Sequence, residues 1–233
     1  MSSAQPRFLT TLGLALAVAG VGLAVFYLQQ PATQPNTRQT GADSLLVRDD
    51  QKIAEAEQRI IAAAQEKQAA YEKAFADLNA AGTVRSISLP TRDSIHQRQE
   101  MVKRLDDASA ALEEVFKSAG ETLRSELLKQ GFSEYTSAKA VTRFAQRANL
   151  ELILKIRASD HESNAAFLEI LDLLDARWGK WKPSAEDHVL FDNTADANAY
   201  NALRQRILEI AATQQAAHAE VQQRTQDAAR PKP

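Results

Sequence analysis

Apolar residues follow two different rules along this chain. From Phe8 to Leu28 they run almost unbroken, FLTTLGLALAVAGVGLAVFYL, without one charge. At a rise of about 1.5 Å per residue, about 21 helical residues span the roughly 30 Å hydrocarbon layer of a bilayer. Phe26 and Tyr27 then supply an amphipathic rim, and Gln29, Gln30 and Pro31 a stop. Beyond residue 44 the apolar residues become periodic instead. Leu46, Ile53, Ile60, Ala64, Tyr71, Phe75 and Leu78 recur at helical spacing until Gly82, which predicts a first helix from about Leu45 to Ala81.

A second helix is predicted after Pro90, capped by Thr91 or Ser88. Its stripe is Ile95, Val102, Leu105, Leu112, Phe116, Ala119, Leu123 and Leu127, which passes Gly120 without losing phase and stops near Gln130. Gly131 ends it, and Ser133 caps a third helix with the face Val141, Phe144, Ala145, Ala148, Leu152 and Ile156. Ser159 and Glu162 have capping-box spacing ahead of Phe167, Ile170, Leu171, Leu174 and Trp178, which predicts a fourth helix; one unbroken helix from Glu134 to Arg177 is the alternative. The segment GKWKPSAEDHVLFDN after it fits a short β-hairpin or a tucked loop. Asp192 or Asn193 then caps a last helix with the face Tyr200, Leu203, Ile207, Ile210, Gln214 and Val221. The expected fold class is therefore all-α: an N-terminal transmembrane helix followed by an extracytoplasmic bundle of four to five long helices, with a short β-hairpin before the last. Residues 1–30 are the membrane anchor, 31–44 a flexible linker rich in Pro, Thr, Gln and Asn, 45–228 the bundle and 229–233 a frayed tail.

Charge placement orients the anchor. Arg7 precedes the span and the next cation, Arg38, stands well beyond it, which favours an N-terminus inside and the bulk of the chain outside. The expected location is the inner (cytoplasmic) membrane, single-pass. The competing reading is a secretory signal peptide and a secreted product, although signal h-regions run only about 7 to 15 residues. Within the span Gly13, Ala17, Gly20 and Ala24 share one helical face, a membrane-helix packing surface if a second helix approaches it.

Composition narrows the chemistry. The absence of cysteine removes disulfides, thiolate metal sites and a cysteine nucleophile. A net charge of -2 with 25% charged residues advertises no nucleic-acid partner. Outside the span no Gly-x-Gly occurs and no Gly precedes a Lys-Ser/Thr pair, so the known phosphate-cradling loops are missing. His96, His161, His188 and His218 are far apart. His161-Glu162 continues to Ala165, where a zinc-protease helix needs its second histidine, and no Glu stands three residues before any of the four. The pairs Asp106-Asp107 and Glu113-Glu114, and Asp172 with Asp175, read as solvated helix faces. No catalytic, metal or cofactor residue is expected.

Two features remain. Trp178 and Trp181, three apart at a helix exit, form either an aromatic wall for a ligand or partner or a lid over the end of the core. Gln214, on an otherwise apolar seam, either fixes helix register or marks an exposed end of the bundle. The stretch with Phe191, a polar gap, then Tyr200, Asn201 and Leu203 opening the last helix resembles uncharacterised bacterial membrane-anchored helical cell-envelope proteins. That resemblance covers about 50 residues and implies an envelope address and a helical fold, with no activity attached. The expected function is a non-enzymatic interaction or assembly module whose partners are the membrane through residues 8–28 and a second copy or an envelope protein. The alternative is an extracytoplasmic small-ligand-binding bundle.

Overall fold

The computed structural model describes residues 41–85, 88–184 and 189–229. The predicted anchor, with Gly13, Ala17, Gly20 and Ala24, lies outside the described residues, as do most of the linker and the last four residues of the tail. Five helices and one hairpin follow: α1 Gly41–Ala80, α2 Arg92–Lys129, α3 Glu134–Arg147, α4 Leu150–Ala176, β1 Trp181–Pro183, β2 Val189–Phe191 and α5 Thr194–Ala229. The bundle and the hairpin are as the pattern predicted, although α1 begins at Gly41 and so takes in the last residues assigned to the linker. Among the described residues no helix is long and apolar enough to cross a membrane.

The rods alternate in direction. α2 lies antiparallel to α1, fastened at one end by Arg59 to Glu126 and at the other by the Arg98 guanidinium, which donates to the carbonyl of Thr83. α3 and α4 together run back along α2, and α5 returns along α4 through Arg206–Glu169 and Arg177–Asp196. Close backbone packing joins α1 to α2, α2 to α3 and α4, and α4 to α5, but no comparable packing closes α5 onto α1.

Local chemistry sets the helix ends. Thr91 caps α2 in a reciprocal capping box with Ser94. Ser133 accepts from the Thr136 amide at the start of α3. Asn193 Oδ1 accepts from the Asp196 amide, 2.8 Å, at the start of α5. After α1 the chain turns through Gly82 at φ +87° and Thr83 at +51°. A Cβ on Gly82 would lie 2.8 Å from the Ser88 side chain, so both conformation and space demand glycine there. Gly120 survives inside α2 for a different reason: Val141 of α3 crosses it, and a Cβ would sit 3.3 Å from Val141 Cγ1.

One prediction needs correction. The break in the third rod falls at Ala148–Asn149, with Asn149 in the left-handed region at φ 52°, and not at Ser159. Nor is the rod unbroken. Ser159 is inside α4, where its hydroxyl donates to the Lys155 carbonyl and is thereby satisfied without capping. The break separates two cores. Phe144 and Ala148 pack with Ala56, Ile60, Ile61, Ala119, Leu123 and Leu127 at the α1 N-terminal end, whereas Leu152 onward joins the larger core shared with α5. Asparagine tolerates the left-handed conformation best among non-glycine residues, which fits it to the joint.

Candidate functional site

Two places in the bundle carry more polar or aromatic chemistry than packing alone requires. The first is a buried layer across the middle of the larger core. α4 presents the seam Ile153, Arg157, Asp160, Asn164, Phe167, Leu171 and Leu174 at alternating steps of four and three, so three successive inward positions are polar. Ser109 of α2, Tyr71 and Gln68 of α1, and Gln214 and His218 of α5 are buried with them. Arg157 is fully buried, at 0% exposure, and Asp160 is 4% exposed.

Asp160 is the well-satisfied member. Gln214 Nε2 donates to its Oδ1 at 2.6 Å and Ser109 Oγ to its Oδ2 at 3.3 Å. Even so, burial pushes its carboxyl above the usual carboxylate range, against the opposing pull of Arg157 and those two donors. The Tyr71 phenol is also pushed up, by burial first and by Asp160 second. Arg157 is the poorly satisfied member. Its Nη1 lies 2.9 Å from Asp160 Oδ2 and its Cζ lies over the Tyr71 ring, 4.8 Å from the ring centre. Ion-pair distance does not amount to alignment here, because none of the three guanidinium nitrogens has a hydrogen-bond partner among the described residues. The same holds for both ring nitrogens of His218 and for Gln68 Oε1. Burial, and then the Arg157 charge, lower the His218 pKa below its ordinary value, so the imidazole is neutral at pH 7. Beside the layer, at the loosely closed α1–α5 seam, is a cavity of about 30 Å³ lined by Tyr71, Asp160, Asn164, Phe167, Ile207 and Gln214 among others.

The second place is the hairpin end. Trp181 is buried and its Nε1–H donates to the Leu174 carbonyl at 2.8 Å, closing the last turn of α4. Trp178 stands edge-on to it, ring centres 5.6 Å apart at 79°, and is 40% exposed. On the hairpin Trp181 pairs with Phe191, whose ring meets Tyr200, and the adjacent residue, Leu190, is 61% exposed. The structure thus gives the two indoles different positions: one is a lid over the core, the other a surface residue braced by it.

The acidic residues need correction in part: Asp107, Glu114 and Asp172 are exposed as expected, but Asp106, Glu113 and Asp175 are only half exposed or less and are not simply solvated. Asp106 Oδ1 lies 2.7 Å from His161 Nδ1 and accepts from Asn164 at 3.1 Å, while Glu113 Oε2 lies 3.2 Å from His161 Nε2. The Glu113 side chain is only 13% exposed. Asp175 is gripped by Arg92 and touched by His96, and Asp172 accepts from Gln99. The Arg92 hydrogen bond holds the Asp175 carboxyl below the usual carboxylate range. These contacts tie α2 to α4, a use of the polar face that one helix viewed alone does not reveal. Asp106 and Glu113 address opposite nitrogens of His161, which clamps the ring without gathering ligands around a point. Among the described residues no group of three or more His, Asp or Glu is arranged to hold a metal ion.

Gln214 was singled out by its place on the seam, and it is buried in the layer. Arg157, Asp160 and His218 were missed. Their signal was present, since Arg157 and Asp160 occupy seam positions in phase with Ile153 and Phe167, but charges at such spacing read more naturally as the edge of a solvated face. Compared with protein-family models, with curated proteins and with solved structures, the chain matches none.

Proposed function

We propose that this protein is a membrane-tethered, non-enzymatic interaction module of the bacterial cell envelope. Residues 8–28 anchor it in the inner membrane, the bundle stands on the extracytoplasmic side, and the hairpin end engages an envelope protein. The observation that carries this reading is Trp178: a large aromatic, 40% exposed, fixed edge-on by a Trp181 that is itself hydrogen-bonded into the end of α4. A side chain already ordered in the free protein loses little entropy on docking, and tryptophan is over-represented among the few residues that dominate interface energies. Leu190 adds a second exposed apolar group on the same hairpin.

Crosslinking of the full chain in its native membrane, followed by mass spectrometry, tests this. Specific envelope proteins should crosslink to the wild type, and Trp178→Ala should lose them while keeping the helical circular dichroism spectrum. Equal recovery by wild type and Trp178→Ala would remove the hairpin from the interface, and recovery of no specific protein would remove the module reading. A second reading, a small ligand held inside the bundle, is favoured by a separate observation: the unpartnered buried nitrogens of Arg157 and His218.

A further inference from the structure

We propose that the outward face of α5 is an interface with a second copy of this chain, formed by parallel pairing of the two α5 helices. The surface does not include Trp178, and the inference goes beyond the envelope-protein docking proposed above.

α5 carries two seams. One faces inward, where Tyr200, Leu203, Ala217 and Val221 join the larger core. The other faces away from it. Alternate steps of three and four residues from Asn198 to Gln226 give nine successive positions, all of them exposed and none of them charged. Leu208, Ala212 and Ala219 hold three of these positions, and asparagine or glutamine the other six. The charged residues of the helix, Arg206, Glu220 and Arg224 among them, all lie off this line. The solvent side of an amphipathic helix ordinarily carries charges, whereas a three-four alternation kept over four heptads is the geometry of a coiled-coil seam.

The residue types select the occupant. In a symmetric pair of parallel helices each seam residue meets its own copy. A charge there repels itself, but an amide has both a donor and an acceptor and so complements itself, and leucine and alanine pack on their own copies. The flanks set the direction. With Leu208 at a d position, Arg204 falls at g and Glu209 at the next e, the two positions that form ion pairs across a parallel coil. Symmetry makes the pair twice. Antiparallel helices set g against g and e against e, which separates these charges. Each is already ordered in its own copy: Arg204 Cζ lies over the Tyr200 ring, 5.8 Å from its centre, and Glu209 accepts from Gln205 at 3.1 Å.

Size sets the strength. The line from Asn198 to Gln226 is about 42 Å long at a rise of about 1.5 Å per residue. At a helix width of about 10 Å it covers about 400 Å² on each copy, half of the roughly 800 Å² per partner of a standard interface. The pairing is therefore weak and reversible.

The chain has no cysteine, so single replacements report the pairing directly. Ala219→Cys lies on the line and Glu220→Cys beside it, both at exposed positions. Each variant of the full chain is oxidised in detergent at concentrations up to about 1 mM, where weak pairs form. A disulfide needs Cα atoms about 4.4–6.8 Å apart, so Ala219→Cys should yield a linked dimer several-fold faster than Glu220→Cys. Adding Ala212→Glu to Ala219→Cys should abolish the linkage while leaving the circular dichroism spectrum unchanged. Glu209→Arg should slow it, and Arg204→Glu together with Glu209→Arg should restore it. Equal linkage at the two positions, no linkage at either, or linkage indifferent to Ala212→Glu overturns the proposal. So does Ala219→Cys that links to Gln205→Cys in preference to its own copy, which is the antiparallel result. Trp178→Ala should leave the linkage unchanged, so that failure of this interface and failure of the hairpin docking are read separately.

Discussion

Replacing Asp160 with asparagine should destabilise the bundle more than its size suggests. The shape of the side chain survives, and an amide oxygen there can still accept from Gln214, but the charge facing a fully buried guanidinium disappears. Removing one member of a buried pair leaves the other uncompensated and costs about 3–5 kcal/mol. For a domain of this size that lowers the unfolding midpoint by roughly 6–20 °C. Arg157→Met should cost less, because the remaining carboxyl can become neutral by taking up a proton. Burial raises the Asp160 pKa in the folded state, and Arg157 opposes the rise; removing Arg157 therefore raises it further. A raised folded-state value means the folded protein binds the proton more tightly than the unfolded chain. The associated stability is complete below the unfolded carboxyl pKa and is lost as pH rises through the folded one. Arg157→Met should accordingly regain stability relative to wild type as pH falls from 7 towards 5, whereas Asp160→Asn should show no such recovery. Urea unfolding followed by circular dichroism at the two pH values reads both effects. If Asp160→Asn changes stability by less than about 0.5 kcal/mol, the guanidinium is hydrated and the polar layer is not a dry interior, which refutes the argument.

The other predictions follow from single contacts. Acidification below the ordinary histidine pKa should destabilise the wild type through His218: its folded-state value is lowered by burial and by Arg157, so the unfolded chain takes the proton first. Unfolding midpoints at pH 7.5 and 5.5 should converge in His218→Gln relative to wild type. Gly82→Ala should cost more than Gly131→Ala in urea unfolding. Both residues have φ near +87°, about 1 kcal/mol of strain for an alanine, but only the Cβ at 82 meets a neighbour, Ser88 at 2.8 Å. Trp181→Phe removes the bond to the Leu174 carbonyl and should cost about 1–3 kcal/mol, whereas Trp178→Ala should change stability by less than Trp181→Phe does; thermal unfolding of the two variants checks the order.

How much could be read from the chain alone differs between its parts. α2 was legible at both ends, because Thr91 and Gly131 act through local backbone chemistry and the stripe from Ile95 to Leu127 keeps phase through Gly120. The joint at Ala148–Asn149 was not legible. Phe144, Ala148, Leu152 and Ile156 remain in phase across it, so periodicity contains no trace of the break. What differs on either side is the neighbour: the α1–α2 pair faces α3, and α5 faces α4. Ser159 and Glu162 carried a capping signal of the right spacing, but capping motifs act only where the backbone ends, and inside α4 the serine satisfied itself on Lys155.

The sequence by itself determined the class of the protein, since amphipathic periodicity, caps and the lack of β-rich segments are local properties that hold whatever the neighbours are. It also selected Trp178, Trp181 and Gln214 as residues out of keeping with their surroundings. Only the tertiary structure decided that Trp181 is a lid and Trp178 a braced surface group, because exposure depends on where the hairpin folds back. Likewise only packing gathers Tyr71, Ser109, Arg157, Asp160, Gln214 and His218, residues from four helices, into one buried layer. A charged side chain at a seam position is solvated or desolvated according to the helix that covers it, and the covering helix lies more than fifty residues away in the chain: Asp160 meets Ser109 and Gln214 across 51 and 54 positions.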